Sequence, residues 1–182
     1  MREERGFSLI ELLIVVIIIM IIAAIAIPSL LRARISANES GAIGDTRTVL
    51  SAAHAYGSAN VGLYDGNLIC LNTPDACIPN YPAPPVGPTF LDPLIANQQF
   101  KSGYNRSYTP STGAILIPPQ ASPTSVSAFV YLSWPANIGR TGVRAFGGDS
   151  SGVLCSNPNG NLPPVVGDVQ LQIVPGQCDT FQ

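Results

Sequence analysis

The sequence predicts an α+β protein in which a long N-terminal helix packs, through its second half, on a small antiparallel β-sheet. Three observations support this prediction. An unbroken apolar run occupies Leu12–Ile27, a one-sided apolar pattern follows it as far as Tyr56, and short β-type runs alternate with turns from Gly103 onward. A helix with a single apolar stripe needs a permanent cover, and a folded domain in the same chain can supply it.

The first half of the predicted helix, residues 7–31, has the composition of a membrane span. Leu12–Ile27 contains no polar side chain, and about 20 such residues, rising 1.5 Å each, cross a hydrocarbon core of roughly 30 Å. Glu11 interrupts this pattern near its start. A carboxylate near mid-bilayer costs roughly 2.5–3.5 kcal/mol, so Glu11 indicates either a functional partner or a side chain that reaches the membrane surface without further role.

Pro28 is the second interruption of the apolar helix. Proline removes a backbone donor and clashes with the carbonyl four residues back, here that of Ala24. It either ends the helix at the membrane surface or bends it. Because Leu30, Leu31 and Ile35 continue the apolar stripe, we predict a single helix from Phe7 to about Tyr56, bent near Pro28.

The residues around the start of the helix carry a family resemblance. The segment Gly6-Phe7-Ser8-Leu9-Ile10-Glu11-Leu12 resembles the processing and methylation site of type IV pilins and related pseudopilins. The resemblance implies a leader at residues 1–6, peptidase cleavage between Gly6 and Phe7, and N-methylation of Phe7. It also implies that Glu11 and Phe7 act in assembly and that Pro28 is the helix kink.

The partners and location implied by the same resemblance are those of a filament protein. They are a prepilin peptidase, the pilus assembly machinery and further copies of the chain in a helical homo-oligomer. The precursor would lie in the inner membrane and the product in an extracellular filament. An ordinary signal peptide is the alternative, because Ala23, Ala24 and Ala26 could form a small-residue cleavage site after the apolar core.

The second half of the helix, residues 32–56, has an apolar stripe on one face. Its members recur three, four and seven residues apart, as on one side of a helix: Leu31, Ile35, Ala42, Ile43, Val49, Leu50, Ala53 and Tyr56. The polar residues Arg32, Arg34, Asn38, Asp45 and Arg47 lie mostly off this face. Gly41 and Gly44 mark either close packing against the domain or tolerated weak points that cost about 1 kcal/mol each.

Residues 57–102 are predicted to form a connecting loop. Proline-rich residues 79–88 restrict it, and Asp92-Pro93 could open one short helix that ends near Gln99. From residue 103 to residue 182 we expect a sheet of three or four strands and a C-terminal loop. The expected strands are Tyr104–Tyr108, Ala128–Trp134, Gly142–Phe146 and a continuation at Val153-Leu154, with a further one at Asp168–Val174. Glycines 147 and 148 with Asp149 are expected to form a turn.

The four cysteines all follow the apolar run, which suits disulfides in an oxidising compartment. Three pairings are possible. We favour Cys70 with Cys77 and Cys155 with Cys178, since each would close a local loop. Zinc is the rival interpretation, but two cysteines seven positions apart with a distant second pair are poorly spaced for it.

Composition and motifs argue against several other classes of protein. Charged residues make up only 11% of the chain and the net charge is −2, so no basic stripe for nucleic acid is evident. Gly148-Asp-Ser-Ser-Gly152 superficially resembles a serine-protease nucleophile segment, but the only histidine, His54, lies on the long helix. Asp149, Asp168 and Asp179 are unconvincing as a calcium site. We therefore expect no enzyme activity, no cofactor and no metal.

The function that these expectations favour is that of a structural subunit, which polymerises into an extracellular type IV pilus after leader cleavage. Two alternatives remain. One is a pseudopilin of a type II secretion system, and the other is a membrane-anchored binding domain that does not polymerise.

Overall fold

The computed structural model describes residues 7–97, 99–174 and 179–181. Its dominant element is α1 (Leu9–Ala59), a single helix of 51 residues that is about 76 Å long at 1.5 Å per residue. The helix thus starts slightly later and ends slightly later than the sequence predicts. The amide of Asn60 donates to the carbonyl of Tyr56 at 2.9 Å, and the amide of Gly62 donates to that of Gly57 at 2.8 Å, which closes the last turn.

Ten short strands follow the helix within the described residues. They are β1 (Tyr64–Asp65), β2 (Phe100–Lys101), β3 (Tyr104–Pro110), β4 (Ser125–Val126), β5 (Phe129–Pro135), β6 (Ala145–Asp149), β7 (Leu154–Asn157), β8 (Val165–Val166), β9 (Gln172–Ile173) and β10 (Asp179–Phe181). Six of the described strands form one antiparallel sheet in the spatial order β10-β7-β6-β5-β3-β2. The pairs β1-β4 and β8-β9 are separate two-stranded ladders. Together the helix and sheets confirm the predicted α+β class.

The sheet is larger than the three or four strands expected from the sequence. At one edge β2 turns back from β3 through Ser102 and Gly103, whose φ angles are +52° and +76°. At the other edge β10 returns from the C-terminal segment and pairs with β7. A strand as short as β2 has no alternation of apolar and polar residues, so the sequence pattern does not distinguish this edge from the connecting loop.

The strand β6 corrects a second expectation. Gly147 and Gly148 were predicted to form a turn after a strand at Gly142–Phe146, but both lie inside β6. A Cβ atom on Gly148 would lie 2.5 Å from a methyl carbon of Leu50, and one on Gly147 would lie 2.8 Å from a methyl carbon of Ile173. These glycines therefore mark places where α1 and the C-terminal segment approach the two faces of the sheet too closely for a side chain.

Apolar cores lie on both faces of the central strand β5. On the helix side, Val49, Leu50, Ala53 and Tyr56 pack with a larger set that includes Leu71, Leu91, Phe129, Tyr131 and Leu154. On the opposite side, Val130, Leu132, Cys155 and Ile173 form a smaller cluster with Trp134, Val165 and Leu171 at its margin. The C-terminal segment thus covers the face of the sheet that α1 leaves open.

The segment between the helix and the sheet contains more regular structure than a loop. It includes two 3-10 helices, Leu68–Leu71 and Pro74–Ala76, and the helix α2 (Pro93–Asn97). The side chain of Asp92 accepts the amide of Leu94 at 2.7 Å, as expected of the residue preceding a helix. Near the C-terminus, the strand expected at Asp168–Val174 is reduced to β9.

Candidate assembly helix and its anchorage

The start of α1 is capped by Glu11. The backbone amide of Ser8 donates to Oε2 of Glu11 at 2.9 Å, and the amides of Glu11 and Leu12 donate to the carbonyl of Ser8 at 3.1 and 3.3 Å. The carboxylate therefore occupies the position in which an acidic residue favours a helix N-terminus. Phe7 precedes the cap and is 83% exposed, so both residues implied in assembly lie at one accessible end of the helix.

The first half of α1 has no cover in the described part of the chain. Its most apolar window of 18 residues has a mean hydropathy of 3.3, and none of that window is buried. By length and composition this helix can cross a membrane. An apolar surface of this extent is not stable in water, so a lipid bilayer or other helices must cover it.

Pro28 lies inside α1, because the helix runs without interruption from Leu9 to Ala59. The proline therefore does not end the helix at the membrane surface. Since it has no amide hydrogen, it cannot donate to the carbonyl of Ala24 as a regular helix requires. At the next residue, the hydroxyl of Ser29 donates to the carbonyl of Ala26 at 2.9 Å.

The second half of α1 packs on the sheet through the predicted stripe. Ala42, Val49, Leu50, Ala53 and Tyr56 are buried. Leu31, at the lower end of the predicted stripe, is 55% exposed. Two polar residues expected mostly off the stripe also bond to the domain. The side-chain amide of Asn38 donates to the carbonyl of Thr141 at 2.9 Å, and Asp45 forms ion pairs described below.

Glu39 is the central polar anchor between helix and domain. Its carboxylate accepts the amides of Val143 and Arg144 at 2.8 and 3.1 Å, and Nε and Nη2 of Arg144 at 3.0 and 2.8 Å. Glu39 is only 7% exposed. Burial by itself would raise the pKa of Glu39, but the hydrogen bonds from Val143 and Arg144 outweigh it and lower the pKa. The charged carboxylate is thus the form that holds the helix.

Asp45, about 1.7 turns further along the helix, forms a second anchor. Its two carboxylate oxygens accept Lys101 Nζ and Arg106 Nη2, both at 2.8 Å. The guanidinium of Arg106 is almost completely buried under the helix. A buried arginine without its carboxylate would be costly, so Asp45 fixes the rotation of α1 over β2 and β3.

A third anchor fixes the end of the helix at the top of the domain. Asp65 is fully buried and accepts the hydroxyl groups of Tyr56 at 2.8 Å and Thr124 at 2.9 Å. The Tyr108 hydroxyl donates to the carbonyl of Asp65 at 2.7 Å. Burial raises the pKa of Tyr56 and of Tyr108, and the negative charge of Asp65 adds to both shifts. Both phenols therefore remain neutral donors.

Asn60 completes this third anchor. It is fully buried, its amide nitrogen donates to Leu63 and Ser125, and its amide oxygen accepts the amide of Ser122 at 2.7 Å. The residue that ends the helix thus also ties it to the start of β4 and to Ser122, which precedes that strand. A side chain of any other shape would leave some of these buried groups unpaired.

Only one of the two favoured cysteine pairings lies wholly within the described residues. Cys70 and Cys77 form a disulfide with a Cα–Cα distance of 5.7 Å, which is one of the two favoured pairings. Cys155 is buried in β7. The pairing of Cys155 with Cys178 stays a prediction, because Cys178 lies outside the described residues, as does Gly6 at the expected cleavage position.

The segment that resembles a protease nucleophile has another arrangement in the structure. The hydroxyl and amide of Ser151 donate to Asp149 Oδ1, and the amide of Ile173 donates to Asp149 Oδ2 at 2.9 Å. His54 Nδ1 lies 2.7 Å from the carbonyl of Leu50 in its own helix. A triad needs the carboxylate on the histidine and the histidine on the serine, so these contacts describe a turn that follows β6.

The described residues contain one group that brings candidate metal ligands together, namely Asp65, Cys70 and Cys77. Its two sulfurs are joined to each other, and metal binding requires thiolates. The oxygens of Asp65 are already acceptors for Tyr56 and Thr124. This group is therefore part of the third anchor rather than a metal site.

Sequence reasoning missed the residues that hold the helix to the domain. Glu39, Asp65, Arg106 and Arg144 were not singled out, because their partners lie far away in the chain and an isolated charged residue resembles any solvated one. One signal was present. Glu39 lies between Ile35 and Ala42 on the stripe side, where a charge calls for a partner.

A family model of the prokaryotic N-terminal methylation motif matches residues 1–27. No curated protein and no solved structure matches the chain. The match covers the segment that includes the Glu11 cap and most of the uncovered apolar surface. The chain therefore carries the prokaryotic N-terminal methylation motif, which is characteristic of type IV pilins and pseudopilins.

Proposed function

We propose that this chain is a structural subunit that polymerises into an extracellular type IV pilus. The observation that carries the proposal is the uncovered apolar half of α1, most of which lies within the methylation motif. The other half of the same helix is held to a folded domain by three polar anchors. In a subunit built in this way, the first half of α1 can exchange lipid for sister helices while the domain stays folded on the second half.

Two covers are required at successive stages. Before assembly, lipid surrounds the first half of α1 and the domain lies outside the membrane. In the filament, the same surface packs against the first halves of sister helices. The helix contacts replace lipid contacts of equal apolarity, so polar groups in the apolar segment decide whether the exchange is favourable.

Glu11 is the polar group that we assign to this step. In the single chain its carboxylate accepts the Ser8 amide, so it already has a hydrogen-bond partner before assembly. In the filament it would also meet the Phe7 ammonium of a neighbouring subunit in a medium of low dielectric constant. Removing one partner of such a buried pair typically costs about 3–5 kcal/mol.

The test compares Glu11→Gln with Glu11→Ala in cells that lack the wild-type subunit. The glutamine oxygen can still accept the Ser8 amide, so Glu11→Gln keeps the cap and loses only the charge. We expect both variants to be made, cleaved and retained in the membrane, and both to be missing from the sheared filament fraction. Ile14→Leu, one turn further along the same exposed surface, keeps the apolar volume, so it is the control and should assemble. Normal filament yield from Glu11→Gln would show that Glu11 is only a helix cap.

Processing is tested separately. Cleavage between Gly6 and Phe7 by a prepilin peptidase predicts a mature protein that begins at N-methylated Phe7, as seen by mass spectrometry. A mature N-terminus after Ala26 would instead indicate an ordinary signal peptide and would contradict the proposal. A pseudopilin would be processed identically, so electron microscopy of the sheared fraction decides between a long surface filament and a short secretion pseudopilus. A chain that is processed but gives no filament of either kind would be a membrane-anchored binding domain.

A further inference from the structure

A basic groove lies where α1 enters the domain. It has a volume of about 600 Å³ and runs between the helix, the β2-β3 turn and the loop at residues 137–141. We call Leu31, Arg34, Phe100 and Arg140 the base, because they line the end of the domain that is nearest to the apolar half of α1. Asn38 ties the loop to the helix through the carbonyl of Thr141, and Arg140 of this loop lines the same groove as Arg34.

The cations at the base have no acidic partner in the described structure. Arg34 and Arg140 of the base, and Arg32 two positions before Arg34 on the helix, take part in none of the ion pairs among the described residues. The two acidic residues of the nearby helix, Glu39 and Asp45, are already bonded to Arg144, Arg106 and Lys101. The exposed aspartates Asp75, Asp92, Asp168 and Asp179 do not line the groove. Positive charge is thus concentrated at one end of the domain.

The length of the helix places this charge at a membrane surface. Twenty steps of 1.5 Å separate Glu11 from Leu31, about 30 Å, which equals the hydrocarbon thickness. Arg34 then lies about 4.5 Å beyond the hydrocarbon edge, inside a headgroup layer of roughly 5–8 Å. Because helix side chains lean toward the N-terminus, we expect the guanidinium of Arg34 to reach back toward the lipid.

The apolar members of the base suit the same position. Leu31 and Phe100 are each 55% exposed although they flank a folded domain. An aromatic ring and an aliphatic side chain, placed beside arginines, match the boundary between acyl chains and headgroups. A purely aqueous surface would gain nothing from exposing them.

We propose that the base docks on anionic lipid headgroups before assembly, with Arg34 and Arg140 on their phosphates and Phe100 at the acyl boundary. This proposal rests on the membrane-held precursor of the proposed function. It adds that the domain lies against the bilayer in a fixed orientation instead of rotating freely above it. Leaving the membrane then requires that these lipid contacts be released together with those of the span.

The experiment measures the depth of the base in vesicles that contain the full-length chain. Phe100→Trp is combined with Trp134→Phe, which removes the native tryptophan, and the indole is quenched by lipids brominated near the glycerol. Vesicles of phosphatidylcholine are compared with vesicles that also contain phosphatidylglycerol. Arg34→Gln and Arg140→Gln are added singly. Arg47→Gln removes the same charge from an exposed position of the same helix, about 20 Å further from the membrane.

We expect strong quenching in the anionic vesicles. The quenching should be weaker when salt is added and weaker in vesicles of phosphatidylcholine alone. Arg34→Gln and Arg140→Gln should each lower the ratio of docked to free domains about fivefold, as expected for one arginine at an anionic surface. Arg47→Gln should leave the ratio unchanged.

Three results would overturn the proposal. They are the absence of quenching, equal quenching in both kinds of vesicle, and equal effects of Arg34→Gln and Arg47→Gln. If the vesicle results do not depend on Arg34 and Arg140 while filament yield does, these arginines serve a neighbouring subunit instead. Flotation separates this proposal from the proposed function. A chain that floats with vesicles but is not quenched contradicts only the docking of the base, whereas a chain that does not float contradicts the membrane-held precursor.

Discussion

Glu39 offers the most direct test of how the helix is held, because its carboxylate accepts bonds from two backbone amides and from one guanidinium. Glu39→Ala leaves the amides of Val143 and Arg144 without their acceptor. Both amides are only partly buried, so each orphaned donor costs about 1 kcal/mol, the lower end of the range for an unpaired buried group. The side chain of Arg144 is 40% exposed and its guanidinium regains water, so the ion pair contributes at most about 1 kcal/mol. We therefore expect a loss of about 3 kcal/mol in the free energy of unfolding.

Glu39→Gln separates the charge from the geometry. Its amide oxygen can still accept both backbone amides, and only the partly exposed ion pair is lost, so we expect a loss of about 1 kcal/mol. The assay is urea unfolding of the full chain in detergent micelles, followed by the fluorescence of Trp134, the only tryptophan. Arg47→Gln, an exposed charge on the same helix, is the control and should change stability by less than about 0.5 kcal/mol.

The lowered pKa of Glu39 gives the same experiment a pH dependence. A carboxyl whose pKa is lower in the folded state stabilises the protein above its ordinary pKa of 4.5. That contribution disappears as the pH falls from 4.5 through the folded-state value. The wild type should therefore lose more stability than Glu39→Gln between pH 5 and the acid limit of the assay. Equal losses for Glu39→Gln and Glu39→Ala at neutral pH, or identical acid profiles for wild type and Glu39→Gln, would refute the reasoning.

Three further predictions concern packing, backbone and tyrosine ionisation, and each uses the same unfolding assay or an absorbance titration. Gly148→Ala should destabilise the protein by about 1–3 kcal/mol, because its Cβ would lie 2.5 Å from Leu50. Gly44→Ala, whose Cβ meets no atom within 4 Å, should stabilise it by about 1 kcal/mol. The reverse order would show that the helix does not pack on the sheet as described. Val61→Gly should stabilise by about 1 kcal/mol, because the valine has a φ of +57°, and a loss of stability would contradict strain at this turn. Burial raises the pKa of Tyr131 to about 12. The free energy of unfolding should therefore decline as the pH rises above 10, where the tyrosines of the unfolded chain ionise. Tyrosinate absorbance that develops fully near pH 10 without unfolding would contradict this burial.

The helix and its two different halves were predictable because they follow from local pattern. Leu12–Ile27 is apolar without exception and the stripe from Ala42 to Tyr56 has helical spacing, so neither depends on knowing what lies opposite. The methylation motif is likewise contiguous, and the family match covers it. These features need only one stretch of chain to be recognised.

The anchors were not predictable for the opposite reason. Glu39 bonds to Arg144, 105 positions away, and a single sequence does not reveal which of several charges meets which other. The same holds for Gly148, whose glycine character in isolation indicates a turn. Backbone pairing with β5 and β7 places the residue in a strand, and the approach of Leu50 from the helix explains why it is a glycine. Where a residue's type is determined by a neighbour that is distant in the chain, the local sequence pattern predicts the wrong secondary-structure element or no role for that residue.

The spacing of the anchors has a mechanical consequence. Glu39 and Asn60 grip the domain at points about 32 Å apart along one rigid helix, with Asp45 between them. A pull on the Phe7 end, directed along the helix axis, therefore loads all three grips at the same time as a shear. A sideways pull would instead open them one after another, starting at Glu39. The attachment of α1 to the domain should therefore withstand far more force along the helix axis than across it. The Glu39 grip alone should determine the sideways force at which the helix begins to detach.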